Sequence, residues 1–382
     1  MKKSRNITIA VVLVVALIIS MLSFTSCSSS AYTNYGWSGA TVVGETVYVA
    51  SQGKLAALQK ANGNVIWERE IKDTISSGSG SCGMGTSSSV IYADPVVDNG
   101  VVYVATYSGK IYAYETATGN LLWTYPSEGY VKGIIGSPVI RDGIIYFNAV
   151  GGAVTALDIA TQQVIWQYDT EDTLWASPCL YEDTLYIASY NEHLYAIDIN
   201  SGTEKWADPF QTEGPIVAAP VYNDGIVYVA SLDRGIYSVD AETGDLIWSF
   251  SPDSEADVTP KNWFWATPII YNGVIYAPNM DGFVYVIDAD SGTLITALDL
   301  GNPISSSPVL FEDKVIVSTQ DGDIYRIDTV DNSQSLLKEL ALTVQSPLEV
   351  DGGIVYVHTI KDEYLYAINA ESGVAIWYYE IN

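Results

Sequence analysis

Gly136-Ser137-Pro138-Val139-Ile140-Arg141-Asp142-Gly143-Ile144-Ile145-Tyr146 is the stretch on which the fold turns. A proline leads into a short β-rich run, an Asp-Gly pair follows, and a second β-rich run ends on tyrosine. Asp-Gly between two such runs supplies the positive φ angles of a tight hairpin. Proline, which has no N–H to give, is tolerated at the edge of a sheet. Further along come Gly151-Gly152, Ala156-Leu157-Asp158 and Val164-Ile165-Trp166, completing a unit of four runs. The next unit repeats it: Ala176-Ser177-Pro178-Cys179-Leu180, Leu185-Tyr186-Ile187, Tyr195-Ala196-Ile197-Asp198, Ser201-Gly202 and Trp206.

The unit proline recurs at positions 95, 138, 178, 220, 268, 308 and 347. An eighth unit without it opens the series, through Thr46-Val47-Tyr48-Val49, Leu55-Ala56-Ala57-Leu58, Asn62-Gly63 and Trp67. The repeat of about 43 residues is that of a four-stranded propeller blade. Residues 40–382 are therefore expected to form a single all-β domain, an eight-bladed β-propeller of four-stranded antiparallel blades. Asn99-Gly100, Asp142-Gly143, Asp224-Gly225 and Asn272-Gly273 mark the first hairpin of their blades. The Ser-Pro strand is expected innermost, against the central channel, and the Trp-bearing strand outermost.

Trp67, Trp123, Trp166, Trp206, Trp248 and Trp377 share one place in the repeat. A large flat side chain placed once per blade suits packing between sheets, its indole N–H on a backbone carbonyl. We expect these six to be structural docking residues. Val239-Asp240-Ala241-Glu242-Thr243-Gly244-Asp245-Leu246-Ile247-Trp248 resembles the tryptophan-docking motif of the quinoprotein-type, or PQQ-like, eight-bladed propellers. Asp158 to Trp166, Asp198 to Trp206 and Asn369 to Trp377 repeat it, and Thr296 and a residue near Leu336 stand where two further units would have Trp. The resemblance covers 40–382 and implies the fold. Its lipoprotein members include the BamB family of outer-membrane assembly factors, its soluble members the PQQ-dependent alcohol dehydrogenases. The BamB resemblance implies a ring closed by an N-terminal strand lent to the last blade. Here Ala375-Ile376-Trp377-Tyr378-Tyr379 supplies that outer strand, so the ring closes either by sheet packing or with a strand added from Tyr32 to Trp37.

The first thirty residues differ in kind. Lys2, Lys3 and Arg5 precede an uncharged apolar stretch from Ile7 to Leu22, the build of an export signal. Phe24-Thr25-Ser26-Cys27 resembles a lipobox, with Phe24 where Leu is usual. The expected order is a lipoprotein signal peptide over 1–26, a polar tether over 27–39 beginning at a lipidated Cys27, and then the propeller. The mature protein is expected at the outer face of a bacterial membrane, in the periplasm or at the cell surface.

Composition narrows the chemistry. Against 45 Asp and Glu stand 17 Lys and Arg, a formal charge of −28, which repels phosphate backbones and anionic lipid faces alike. Nucleic acid is excluded as a partner, and membrane contact is expected through the lipid anchor only. Two His and three Cys are too few for a clustered zinc site or a disulfide scaffold. Asp281-Gly282 and Asp321-Gly322-Asp323 read as hairpin turns rather than calcium loops. Cys82 and Cys179 stand as a candidate disulfide near innermost strands. His193 and His358 stand beside no patterned nucleophile, so no catalytic residue, metal or cofactor is expected. A quinoprotein dehydrogenase is the alternative, and the resemblance implies for it an adjacent Cys pair and calcium ligands.

Binding is the leading reading. The connections between blades vary in length, and variable loops on a rigid scaffold carry specificity. The longest are Ile71 to Tyr92, around Cys82, and Ser251 to Ala266, which ends Lys261-Asn262-Trp263-Phe264-Trp265. Trp175 holds in its unit the place of Trp265. Trp175, Lys261, Trp263, Phe264 and Trp265 form the candidate surface for a protein segment or a sugar ring, with plugging of the channel mouth as the structural alternative. The expected function is a non-catalytic envelope scaffold for a protein or an extended peptide segment, a carbohydrate-binding lipoprotein being the other non-enzymatic reading.

Overall fold

The computed structural model describes residues 36–72, 89–252 and 258–381. The signal segment, Cys27 and Cys82 lie outside the described residues, as does most of the polar tether. Eight four-stranded antiparallel sheets follow one another along the chain, each in strand order first to fourth. The protein is an eight-bladed β-propeller. Blade 3 is typical: Val139–Arg141, Ile144–Asn148, Ala153–Asp158 and Val164–Asp169. Asp142 and Gly143, with φ of 51° and 77°, form its first turn, which only residues tolerant of the left-handed region can build. The first strands of neighbouring blades lie side by side around the axis, so the strand after the proline is innermost and the Trp strand outermost.

In six blades the register slips between the third and fourth strands immediately beyond the pair that contains Trp or its substitute, as at Ala156 opposite Trp166. Such a bulge twists the strand and re-aims a side chain. The indole thereby reaches the next blade. Trp206 Nε1 donates to Ala241 O at 3.2 Å and Trp248 Nε1 to Ala289 O at 3.0 Å. The same two carbonyls accept Tyr186 and Tyr228 hydroxyls at 3.1 and 3.2 Å, so one acceptor satisfies both polar tips of the preceding blade. The rings lie on the turn glycine of that next blade, where a Cβ on Gly244 would come within 2.7 Å of Trp206. Each seam is filled by such a cluster, with Tyr186 and Trp206 against Val227 and Val229 in one of them.

Blade 6 has Thr296 opposite Val286, and blade 7 has Ser335 opposite Arg326 with Leu336 beside it. Arg326 donates to Glu371 O at 2.9 Å across the last seam instead.

Among the described residues the ring closes without exchanging a strand. Ala375–Glu380 pairs with Tyr364–Asn369 of its own blade, and the first blade is built from Ala40 onward. Trp377 Nε1 donates to Lys60 O at 2.8 Å, Gln52 Nε2 to Glu363 Oε1 at 2.8 Å, and His358 Nδ1 to Ser38 O at 2.6 Å. Lys60 pairs with Asp351, and the Ser51 and Tyr379 hydroxyls donate to Glu363 and Glu68. Of the two closures open to the sequence, sheet packing is the one the described residues show; Trp37 is in no strand, and Tyr32 to Tyr35 lie outside the described residues.

Candidate functional site

The residue four places before the innermost strand lines the axial channel in blades 2 to 8. This position, with its counterpart in blade 1, is Trp37, Tyr92, Ile135, Trp175, Val217 and Trp265 in blades 1 to 6, then Ser305 and Gln345. All eight border one cavity of about 100 Å³. Two residues further along, small polar side chains form a collar. Asp94 N–H donates to Ser137 Oγ at 2.9 Å, Ser137 N–H to Ser177 Oγ at 2.8 Å, and Thr267 N–H to Ser307 Oγ at 3.1 Å. Gly39 N–H donates to the Asp94 carboxylate. The residue before the proline thus accepts from the preceding blade, which satisfies a backbone donor at the channel wall.

Above the collar the large side chains reach across the axis. Trp37, Trp175 and Trp265 come from blades 1, 4 and 6. The Trp37 and Trp265 rings are 6.5 Å apart at 75°, and those of Trp175 and Trp265 6.1 Å apart at 61°. Tyr92 packs on Trp37 at 4.2 Å and Tyr190 on Trp175 at 5.6 Å. Blades 7 and 8, with Ser305 and Gln345, do not fill their side. There a second cavity of about 410 Å³ opens, walled by Trp37, Trp175, Trp263 and Trp265 and completed by Met280, Ser305, Gln320 and Gln345. Gln320 Nε2 donates to Ser305 Oγ at 2.9 Å and lies 3.8 Å from Met280 Sδ. Trp263 O accepts the Met280 N–H at 3.0 Å, and its side chain is 49% exposed.

Trp175, Trp263 and Trp265 therefore meet in one cup. Lys261 is exposed, its N–H on Asp281 Oδ2 at 2.9 Å, and it does not border either cavity. Phe264 corrects the expected surface: it is fully buried between blades 5 and 6, its ring 5.7 Å from Tyr285. Successive residues of an extended segment face opposite ways, so two indoles turned to the cup, Trp263 exposed and Trp265 half-buried, force the residue between them inward. Trp37, Tyr92, Gln320 and Gln345 were not among the sequence candidates. Trp37-Ser38-Gly39-Ala40 is in register with Trp265-Ala266-Thr267-Pro268, and the missing proline concealed it.

Among the described residues, Asp94 is the one ionisable carboxylate bordering these cavities. Burial raises its pKa to about 6, against the pull of the Gly39 N–H, Ser137 and His358. His193 Nδ1 is 2.7 Å from Asn191 O at a turn, His358 belongs to the ring-closing seam, and neither borders the cup. Among the described residues no group of three His, Cys, Asp or Glu could hold a metal ion. Calcium takes six to eight oxygen ligands, whereas the larger cavity offers two amides and one hydroxyl. Among the described residues it has no cation to meet a carboxylated quinone. The residues of the cup do not fit that cofactor.

A family model described as the outer membrane protein assembly factor BamB matches residues 28–89, 78–178, 173–295 and 280–382. BamB of Legionella pneumophila (strain Paris) is 34% identical over 94 residues, 23% of this chain and 22% of its own length. Among solved structures, the computationally designed Ika8 protein superposes with a TM-score of 0.68 at 15% identity, covering 91% of this chain and 98% of that one. BamB from Moraxella catarrhalis gives 0.66 at 18%, covering 88% and 92%. The quinohemoprotein alcohol dehydrogenase ADHIIG from Pseudomonas putida HK5 gives 0.59 at 16%, covering 76% and 66%. These structural likenesses show the fold, and the family model spans its blades from first to last: the chain belongs to the family of the outer membrane protein assembly factor BamB.

Proposed function

We propose that this protein is an exported, lipid-anchored scaffold of the bacterial envelope that captures an extended segment of a partner protein in the aromatic cup and catalyses no reaction. The observation that carries the reading is the placement of Trp37, Trp175, Trp263 and Trp265 around one cavity, outside the position that docks blades. Accessible indoles around a concavity, here one exposed and three half-buried, make hot spots for a partner. Membership of an assembly-factor family supports a protein partner over a sugar. The leader and Cys27 support anchoring, which leaves the acidic propeller free of the membrane surface.

A photo-crosslinking amino acid at position 263, in cells, tests this. Cross-links to discrete envelope proteins, absent when the probe sits at Ser335 on the perimeter, are expected. Equal labelling from both positions, or a saturable shift in absorption and melting on adding quinone and calcium, would overturn it. A mature N-terminus that still starts upstream of position 27, or that carries no acyl mass, would remove the anchor.

A further inference from the structure

The cup has a chemistry more specific than apolar. Its indoles meet at 61° and 75°, so they form walls rather than one flat platform, a poor match to a single sugar face. An apolar side chain would give the Gln320 Oε1 acceptor and the Gln345 amide no partner, which is costly in a confined site. Gln320 has committed its Nε2 to Ser305 and Met280, and what it can still offer is the acceptor Oε1. Among the described residues no Lys or Arg borders either cavity, Asp94 borders the smaller one, and the whole chain carries −28. The favoured occupant is positive, planar and rich in N–H donors. A guanidinium has those properties: it stacks on indole faces and presents five donors in a rigid fork.

We propose that the cup is a receptor for an arginine side chain carried by the captured segment, stacked on the indoles and donating to Gln320 Oε1. The inference rests on the capture reading and names what is captured. Its probe is the blocked tripeptide acetyl-Gly-Arg-Gly-amide, titrated calorimetrically into the full chain in detergent, beside its citrulline counterpart of equal shape and no charge. The arginine peptide should bind saturably, the citrulline peptide about ten-fold or more weaker. Gln320→Leu, which keeps the bulk and removes the acceptor together with the bond to Ser305, should weaken the arginine peptide several-fold while lowering the melting temperature by no more than about 2–4 °C, and Trp265→Ala should abolish binding. Equal binding of both peptides, or binding of maltose with neither peptide, would overturn the assignment. If cross-linking from position 263 persists while the arginine peptide neither binds nor competes, the arginine assignment alone fails; if cross-linking also vanishes, the capture reading fails with it.

Discussion

The ten tryptophans divide by what their rings touch. Trp206 is 4% exposed, its ring lying on Gly244 and its N–H on Ala241 O, whereas Trp263 is 49% exposed at the cup's rim. Trp206→Ala empties a seam between blades and should cost about 3–5 kcal/mol in urea unfolding. Trp263→Ala removes no comparable packing and should stay within about 0.5 kcal/mol of the parent, while losing the cross-linked partner. Equal destabilisation by the two would make Trp263 a core residue. The split was legible in the sequence only in part. Repeat position separated docking tryptophans from the rest, because one residue per blade answers to one packing site. It could not separate Trp263 and Trp265 from Phe264, since the alternation that turns Phe264 inward belongs to a connection without a repeat to align.

At the scale of the element, turn chemistry was the most readable layer because a positive φ is decided by one residue. Gly225 and Gly244 both occupy it, at φ 83° and 81°. A Cβ on Gly225 meets nothing within 4 Å, whereas one on Gly244 meets Trp206 at 2.7 Å. Gly225→Ala should therefore cost only the left-handed penalty of about 1–2 kcal/mol. Gly244→Ala should cost roughly 1–3 kcal/mol more, because a packed indole must shift. Guanidinium midpoints of the two variants check this, and equal values would mean that the glycine is there for the turn alone. Register was less readable than turns. Pro347 falls one residue early, so that buried Leu348 takes the place the proline holds in other blades. The cup was least readable of all, since its walls come from blades 1, 4, 6, 7 and 8 and no local pattern joins them.

For the whole molecule, the seam between first and last blades is where, among the described residues, the ring holds by sheet packing, and carboxyls gather at and beside it: Glu349 and Glu363 on the last blade, and Asp94 at the adjoining channel collar. Burial, with Asp94 and Asp351 nearby, raises the Glu349 carboxyl to about 7, and burial raises Asp94 to about 6. Burial also pushes Glu363 up, but the His358 imidazole 3.4 Å away and the hydrogen bonds from Ser51 and Gln52 outweigh it and hold that carboxyl below its ordinary value. The signs oppose. A carboxyl whose folded pKa is raised binds more protons folded than unfolded, so Glu349 and Asp94 make stability fall as pH rises from about 4 to about 7. Glu363 contributes stability that is lost only as pH falls through the more acidic range. Net charge repulsion also grows with pH, so the parent profile alone does not isolate the seam. The comparison with Glu349→Gln does: the substitution leaves the distant charges in place and removes one titration. The parent should lose about 1–3 kcal/mol more than the variant between pH 5 and pH 7.5, read from urea midpoints at each pH. Parallel profiles would place the pH dependence in the diffuse acidic surface instead of the joint that closes the propeller.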